Sequence, residues 1–316
     1  MKKKEDFTGR RFVVTGGEGF IGSHIVNALL EMGGEVVVVD DLSTGVSRLK
    51  RIRNQRLKIH HQDLVAFDFE KLGKTDCIFH QAARALIPSF KDPLTDLRVN
   101  VGGTICVLEY ARRYDVKVVH ASSGSIYGNP VKIPIKEDHP LNPISPYGTS
   151  KLAAEGYCNF YFRTYGVDVV MLRYFNVYGP GQSVSEEMGV IPIFVHRALS
   201  NEPITIFGDG HQTRDFLNVR DVVRANILAY LANGTSGEAM NIGGGGHEIS
   251  ILNLARMVMK MCSSNTKINF KDPKPGDIRR LVADNSKARR LIGYEPTVML
   301  EKGLKEYIKY AKRTKH

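Results

Sequence analysis

Tyr147 and Lys151 stand four residues apart in the stretch Ser145-Pro146-Tyr147-Gly148-Thr149-Ser150-Lys151. Ser145 suits a helix cap and Pro146 suits a first helical turn, so a helix is expected to start here. On that helix the tyrosine and the lysine lie one above the other on the same face. A phenol ionises near pH ~10 and is a poor base at neutral pH. A cation one turn away stabilises the phenolate and lowers that value. The pair is therefore suited to moving a proton to and from a hydroxyl. A tyrosine and a lysine at this spacing are also found on ordinary helix surfaces. The elements that would position them decide between the two readings.

The first such element lies near the start of the chain. Arg11-Phe12-Val13-Val14-Thr15 reads as a buried strand and runs into Gly16-Gly17-Glu18-Gly19-Phe20-Ile21-Gly22, followed by a helix with apolar residues at Ile25, Ala28 and Leu29. Glycines at 16, 19 and 22 permit a tight turn and close backbone approach, and the helix start offers free N–H groups to a pyrophosphate. Glu35-Val36-Val37-Val38-Val39-Asp40 is a second buried strand ending in an acid, 18 residues beyond Gly22. An acid at this offset suits a ribose diol and repels a 2′-phosphate, which favours NAD over NADP. Asp40 also has a plainer reading, as a turn residue heading Asp41-Leu42-Ser43-Thr44-Gly45.

Further strands are expected at 57–60, 76–80, 117–121 and 168–173, with helical patterns between them, notably over 94–114. That alternation predicts a doubly wound parallel α/β sheet. Asp63 follows the third strand, within reach of an adenine. His80-Gln81-Ala82-Ala83 ends the fourth strand with small residues, and His80 is read as a satisfied strand-end histidine rather than a catalyst. Ser122-Ser123-Gly124-Ser125 ends the fifth, where hydroxyls point at ligands in sheets of this kind. From about Pro180 the rhythm becomes irregular, with Gly- and Pro-rich loops. We therefore expect a dinucleotide-binding domain over 1–177 and a smaller mixed α/β substrate domain over 178–316, some segments of which return to the first.

The totals agree with a globular protein: 316 residues, 42% hydrophobic and 24% charged. The four cysteines form no framework or metal-ligand pattern, and Cys77, in an apolar run, is expected to be a reduced core thiol. The N-terminus lacks the apolar core of a signal peptide and no run is long enough for a membrane span, so a soluble cytoplasmic protein is expected. The net charge is +11, much of it late in the chain. Such a field favours anions. The C-terminal lysines alternate with Leu304, Tyr307 and Ile308 at helical spacing and read as a solvated face; residues 274–280 read as a phosphate site. No nucleic-acid or membrane partner is expected.

In their order and spacing these motifs resemble the extended short-chain dehydrogenase/reductase family, and within it the UDP-glucose (UDP-galactose) 4-epimerase group. The resemblance runs from Val13 to about Leu304 and adds Leu172-Arg-Tyr-Phe-Asn-Val-Tyr-Gly-Pro180, Arg214-Asp215-Phe216 and Pro275-Gly-Asp277. It implies tightly held NAD, contacted by Gly16, Gly19, Phe20, Ile21, Gly22, Asp40, Asp41, Ser43, Thr44, Gly45, Asp63, Leu64, Gln81, Ala82, Ala83, Asn100, Ser122, Tyr147, Lys151 and Tyr174. Tyr147 would be the acid/base, with Lys151 lowering its pKa and binding the nicotinamide ribose, and Ser123 hydrogen-bonding the sugar 4-oxygen. The same resemblance implies a UDP-sugar held by Asn176, Val190, Arg214, Lys274 and Asp277, and a homodimer formed through helices near 94–114 and 147–165. Relatives often carry Arg at the position of Lys274, so phosphate binding would be by point charge there, or by Arg279 or Arg280. Leu281 falls beside the sugar 2-substituent, which leaves N-acetyl sugars open. Related dehydratases and decarboxylases need a carboxylate directly after the catalytic hydroxyl, where this chain has Gly124 and Ser125, so epimerisation is expected rather than elimination. The competing readings are an epimerase of UDP-GlcNAc/UDP-GalNAc or UDP-glucuronate, a reductase, and a non-catalytic nucleotide- or RNA-binding relative.

Overall fold

Residues on β1 (Arg11–Thr15) alternate between two buried faces, so this strand must be covered on both sides. Phe12 and Val14 pack with Ile25, Val26 and Leu29 of α1 (Phe20–Glu31), whereas Val13 joins a second cluster with Val107, Leu108 and Ala111. The structure is a computed structural model describing residues 5–43, 45–184, 189–273 and 278–314.

The strands β2 (Glu35–Asp40) and β4 (Cys77–His80) flank β1, and β3 (Leu57–His61) pairs with β2 at the sheet edge. Helix α2 (Leu86–Lys91) leads to α3 (Pro93–Leu97) and, through a π-helical turn at Arg98–Gly102, to α4 (Gly103–Tyr114). The helix expected over 94–114 is thus interrupted where Asn100 turns inward, its Nδ2 donating to Asp96 and to Ser150 at 2.9 Å each. Strand β5 (Lys117–Ser123), helix α5 (Pro146–Tyr165) and strand β6 (Val169–Tyr174) complete the core of the first layer.

Beyond it come β7 (Val177–Tyr178), α6 (Val190–Leu199), β8 (Ile204–Phe207), β9 (Thr213–Asp215), β10 (Leu217–Asn218) and α7 (Val219–Leu231). After them, β11 (Ala239–Ile242) returns to pair in parallel with β6 and closes a seven-stranded parallel sheet of order β3-β2-β1-β4-β5-β6-β11. Sequence reading gave six of these strands and missed β11. The remaining elements are β12 (Glu248–Ser250), α8 (Ile251–Cys262), β13 (Ile268–Lys271), β14 (Arg280–Leu281), α9 (Ser286–Ile292) and α10 (Leu300–Thr314). Helices α6, α8 and α10 share their own apolar cluster around Phe194, Leu254 and Tyr307, while α7 packs on α1. Cys77 and Cys158 are buried free thiols. Among the described residues no helix is long and apolar enough to cross a membrane.

Helix α5 is fastened to the sheet by a buried ion pair. Arg173 on β6 donates to both oxygens of Glu155, at 2.9 and 2.7 Å, and its other nitrogen reaches Tyr127 Oη at 2.6 Å. Breaking such a pair leaves an uncompensated buried charge. Glu155→Ala should therefore cost about 3–5 kcal/mol of unfolding free energy by denaturant titration, and Glu155→Leu with Arg173→Met should recover most of it. A loss of only a few tenths for the single variant would contradict this role.

Candidate active site

Ser145 caps α5 by accepting from Gly148 N at 3.0 Å, and Pro146 occupies the first turn, as the sequence suggested. The helix faces the carboxyl end of β5. Lys151 is buried there, its Nζ donating to Ala121 O at 2.8 Å and lying 6.0 Å from the centre of the Tyr147 ring. Ser123 ends β5 and hydrogen-bonds the Tyr147 side chain. Ser123 Oγ also contacts Ser125 Oγ at 3.1 Å. The three expected catalytic residues are therefore gathered at one sheet end.

The electrostatics differ from expectation in one respect. Burial pushes the Tyr147 phenol up, and the Ser123 hydrogen bond opposes it. The Lys151 ammonium is held against a carbonyl instead of against the phenol, and burial pushes it down to about 8, with Asp96 opposing. His80 lies between Thr15 Oγ1 at 2.7 Å and Thr104 Oγ1 at 3.0 Å, and burial pushes it down to about 3. It is the satisfied neutral histidine that was expected.

The cofactor side is built by the first turn. Gly16 has φ +66°, and a Cβ there would lie 2.7 Å from Ala82 Cα; a Cβ on Gly22 would lie 2.1 Å from Gly16 O. Only glycine lets the turn lie this close to the end of β4. Helix α1 begins at Phe20 with no side-chain cap and no acid in its first turn, so the N–H groups around Phe20 and Ile21 remain available to a pyrophosphate. Asp40, at the end of β2, accepts from Glu18 N at 2.9 Å and Leu42 N at 2.8 Å; burial pushes its carboxyl up. These features fit a dinucleotide.

Other expected contacts already have protein partners. Asp63 accepts from Val65 N at 2.9 Å and pairs with Arg98 at 2.5 Å. Asn100 uses both amide donors and accepts from Arg84 N at 2.8 Å. Gln81, Tyr174 and Asn226 bond one another. Ser122 is buried at the end of β5 and Leu64 is buried under α4, whereas beyond β4 Ala82 is half-buried and Ala83 is exposed. Asp41 and Ser43 lie in the exposed segment after β2, where Asp41 accepts from Ser43 N at 2.9 Å; Gly45 follows, and Thr44 lies outside the described residues.

A cavity of about 930 Å³ opens beside the catalytic cluster. Ser125 and Ser145, each two residues from a catalytic side chain, line one end, and Asn176, Val190 and Arg214 line its body. Asn176 adopts φ +36°, which Asn tolerates better than most residues. Helix α6 starts at Val190 on the cavity wall with no side-chain cap and no acid in its first turn. Lys271 and Arg197 also line it, although Arg197 is paired with Glu202, and neither was picked out from the sequence as a site residue. Both lie on regular elements and belong to no short motif.

The remaining substrate expectations concern residues 274–281. Lys274 and Asp277 lie outside the described residues. Arg279 and Arg280, offered as alternative phosphate ligands, are bound bidentately to Asp209 and Glu248 and do not line the cavity. Leu281 does not line it either: Arg280 points out to Glu248, so strand alternation turns Leu281 into a cluster with Ile126, Tyr127 and Phe175. Ile278 reaches the wall instead.

The NAD dependent epimerase/dehydratase family model matches residues 12–243. This chain belongs to that family. It is 40% identical over 306 residues to a putative UDP-glucose 4-epimerase of Methanocaldococcus jannaschii, spanning 95% of this chain and 98% of that one. The solved UDP-glucose 4-epimerase of Thermotoga maritima with UDP-glucose superposes with a TM-score of 0.90 at 38% identity, covering 97% and 100% of the two chains. The UDP-glucuronic acid 4-epimerase of Bacillus cereus, in complex with UDP-glucuronic acid and NAD, superposes at 0.88 with 34% identity, covering 96% and 99%. The fold expected from the sequence, the family and the NAD cofactor all stand.

The depressed Lys151 has a measurable consequence. It holds its proton to about 8 in the folded chain against an ordinary 10.5. Between those values the unfolded chain binds more protons, so this group makes stability rise with pH there and adds no slope below pH 8. Wild type should thus gain stability relative to Lys151→Met as pH rises from 8 towards 10.5 in denaturant unfolding. Parallel curves would contradict the assignment.

Proposed function

We propose that this NAD-dependent enzyme interconverts UDP-galactose and UDP-glucose by inverting C4. The observation carrying the reading is the juxtaposition of the Ser123–Tyr147–Lys151 cluster with a cavity whose walls carry Asn176, the open start of α6 and Arg214. Amide donors, a helix N-terminus and a guanidinium suit a diphosphate, and the cavity size suits a nucleotide-sugar. Bound NAD supplies the hydride acceptor and donor for C4.

Tyr147, as phenolate, takes the proton of the 4-hydroxyl while the C4 hydride leaves. Ser123 holds the 4-oxygen and shares the hydrogen bond that favours phenolate. Lys151 keeps a positive charge one helical turn below. The 4-keto sugar turns over in the cavity, and the hydride returns to the opposite face as Tyr147 gives its proton back. Atoms and electrons balance, and no external reductant is consumed. Gly124 and Ser125 supply no carboxylate for elimination, which favours epimerisation over dehydration.

We also propose a homodimer through α3, α4 and α5. Leu94, Leu97, Tyr157, Phe160 and Tyr165 are exposed on these elements, more apolar surface than a solvated face needs. A two-chain mass in sedimentation supports this, and a single-chain mass overturns it.

Purified protein given UDP-galactose without added cofactor should produce UDP-glucose, and Tyr147→Phe should lower the rate by at least about 10²-fold, the scale of a lost general acid/base. Conversion of UDP-GlcNAc or UDP-glucuronate but not UDP-galactose would move the substrate assignment. Undiminished activity in Tyr147→Phe would overturn the mechanism.

A further inference from the structure

Glu18 fills the position between Gly17 and Gly19 in the cofactor turn, and it is fully buried. A buried carboxylate is costly unless its oxygens are satisfied. Here they are satisfied from the segment after β2. Oε2 accepts from Leu49 N at 2.8 Å, and Oε1 accepts from Ser47 Oγ at 3.0 Å, with His61 Nε2 at 3.4 Å. The backbone of Glu18 is tied as well: its N–H donates to Asp40, and its carbonyl accepts from Arg48 Nη1 at 3.0 Å.

Arg48 carries the connection onward. Its Nε donates to Gly181 O at 3.0 Å and its Nη2 to Ser183 Oγ at 2.9 Å, while His24 of α1 meets Pro180 O at 2.7 Å. Gln182 and Val184, in the same segment, line the substrate cavity. Glu18 thus joins the end of β2 through its backbone N–H, and the segment that follows it and the end of β3 through its carboxylate. Through Arg48 it also reaches the wall of the substrate cavity.

We propose that Glu18 and Arg48 are positioning residues that clamp the segment after Asp40 against the cofactor turn and so retain NAD through turnover. The reaction gives the requirement. A sugar oxidised at C4 is reduced again only if the same cofactor is still in place, so this enzyme needs slow cofactor exchange more than a dehydrogenase does. The clamp meets it because lifting the segment would strip the buried Glu18 carboxylate of the hydrogen bonds from Leu49 N and Ser47 Oγ. Both ends of the segment, Leu42 through Asp40 and Leu49 through Glu18, are bonded back to the turn region.

The test reads cofactor retention, not only activity. Protein loaded with NAD is mixed with excess isotopically labelled NAD, and exchange into the protein is followed by gel filtration and mass spectrometry. Losing hydrogen bonds to a charged group should speed exchange roughly 10- to 100-fold in Glu18→Ala and Arg48→Ala. Glu18→Gln, whose amide oxygen still accepts one bond, should fall between Glu18→Ala and wild type. In the alanine variants the KM for added NAD should rise while kcat at saturating NAD is kept. A purely structural role would lower kcat or folding without that split. If Glu18→Ala does not fold, Arg48→Ala carries the test. Exchange at the wild-type rate in the folded variants, or lost activity that saturating NAD does not restore, would overturn the proposal.

Discussion

Lys151 places an ammonium group inside the protein at the end of β5, and the rest of the site is arranged around that charge. Burial works against it, and the Ala121 carbonyl and Asp96 work for it. Its histidine neighbours must then stay neutral. His80 is held between two threonine hydroxyls, and His120 has both ring nitrogens buried without a partner; burial pushes both imidazoles far down. A proton on either would put a second cation beside Lys151 in a poorly solvated place. The strand end therefore carries the lysine charge and not theirs, next to the Tyr147 phenol.

Fixing that charge also fixes α5. The helix that carries Tyr147 and Lys151 is bonded to β6 through Glu155 and Arg173, and to the π-helical turn through Ser150 and Asn100. Those contacts bring Tyr147 to Ser123 between two differently built openings. On one side the glycine turn lies close against Ala82 and leads into the uncapped start of α1. On the other lies a cavity lined by an amide, a helix start and a guanidinium. In the proposed reaction the reacting carbon sits where the two meet, beside Tyr147 on the helix that borders both.

Much of this was legible in the sequence because it rests on local rules. The strand–glycine–helix order, the capped start of α5 and the hydroxyls ending β5 are all set by neighbours in the chain. What was missed depends on distant partners. Strand β11 is only four residues long and contains the buried Asn241, whose amide accepts from Tyr127 far away in sequence, so no apolar run announced it. The π-helical turn exists because Asn100 must reach Ser150 across to another helix. Arg279 and Arg280 looked like phosphate ligands until Asp209 and Glu248 folded against them. The sequence assigned Glu18 no role, since nothing nearby in the chain shows that Ser47, Leu49 and His61 converge on it. The direction of the Tyr147 shift was missed for a similar reason: spacing gave the lysine neighbour but not the depth at which both lie.

The central claim is that one hydride leaves C4 and returns to C4 within a single closed site. UDP-galactose deuterated at C4, incubated with the purified enzyme in ordinary water and with excess unlabelled reduced cofactor in solution, tests it directly. UDP-glucose that keeps the deuterium at C4 is the predicted result. Deuterium lost to water or to the external cofactor pool would contradict it, because the hydride would then be leaving the site that Lys151, Tyr147 and Ser123 define.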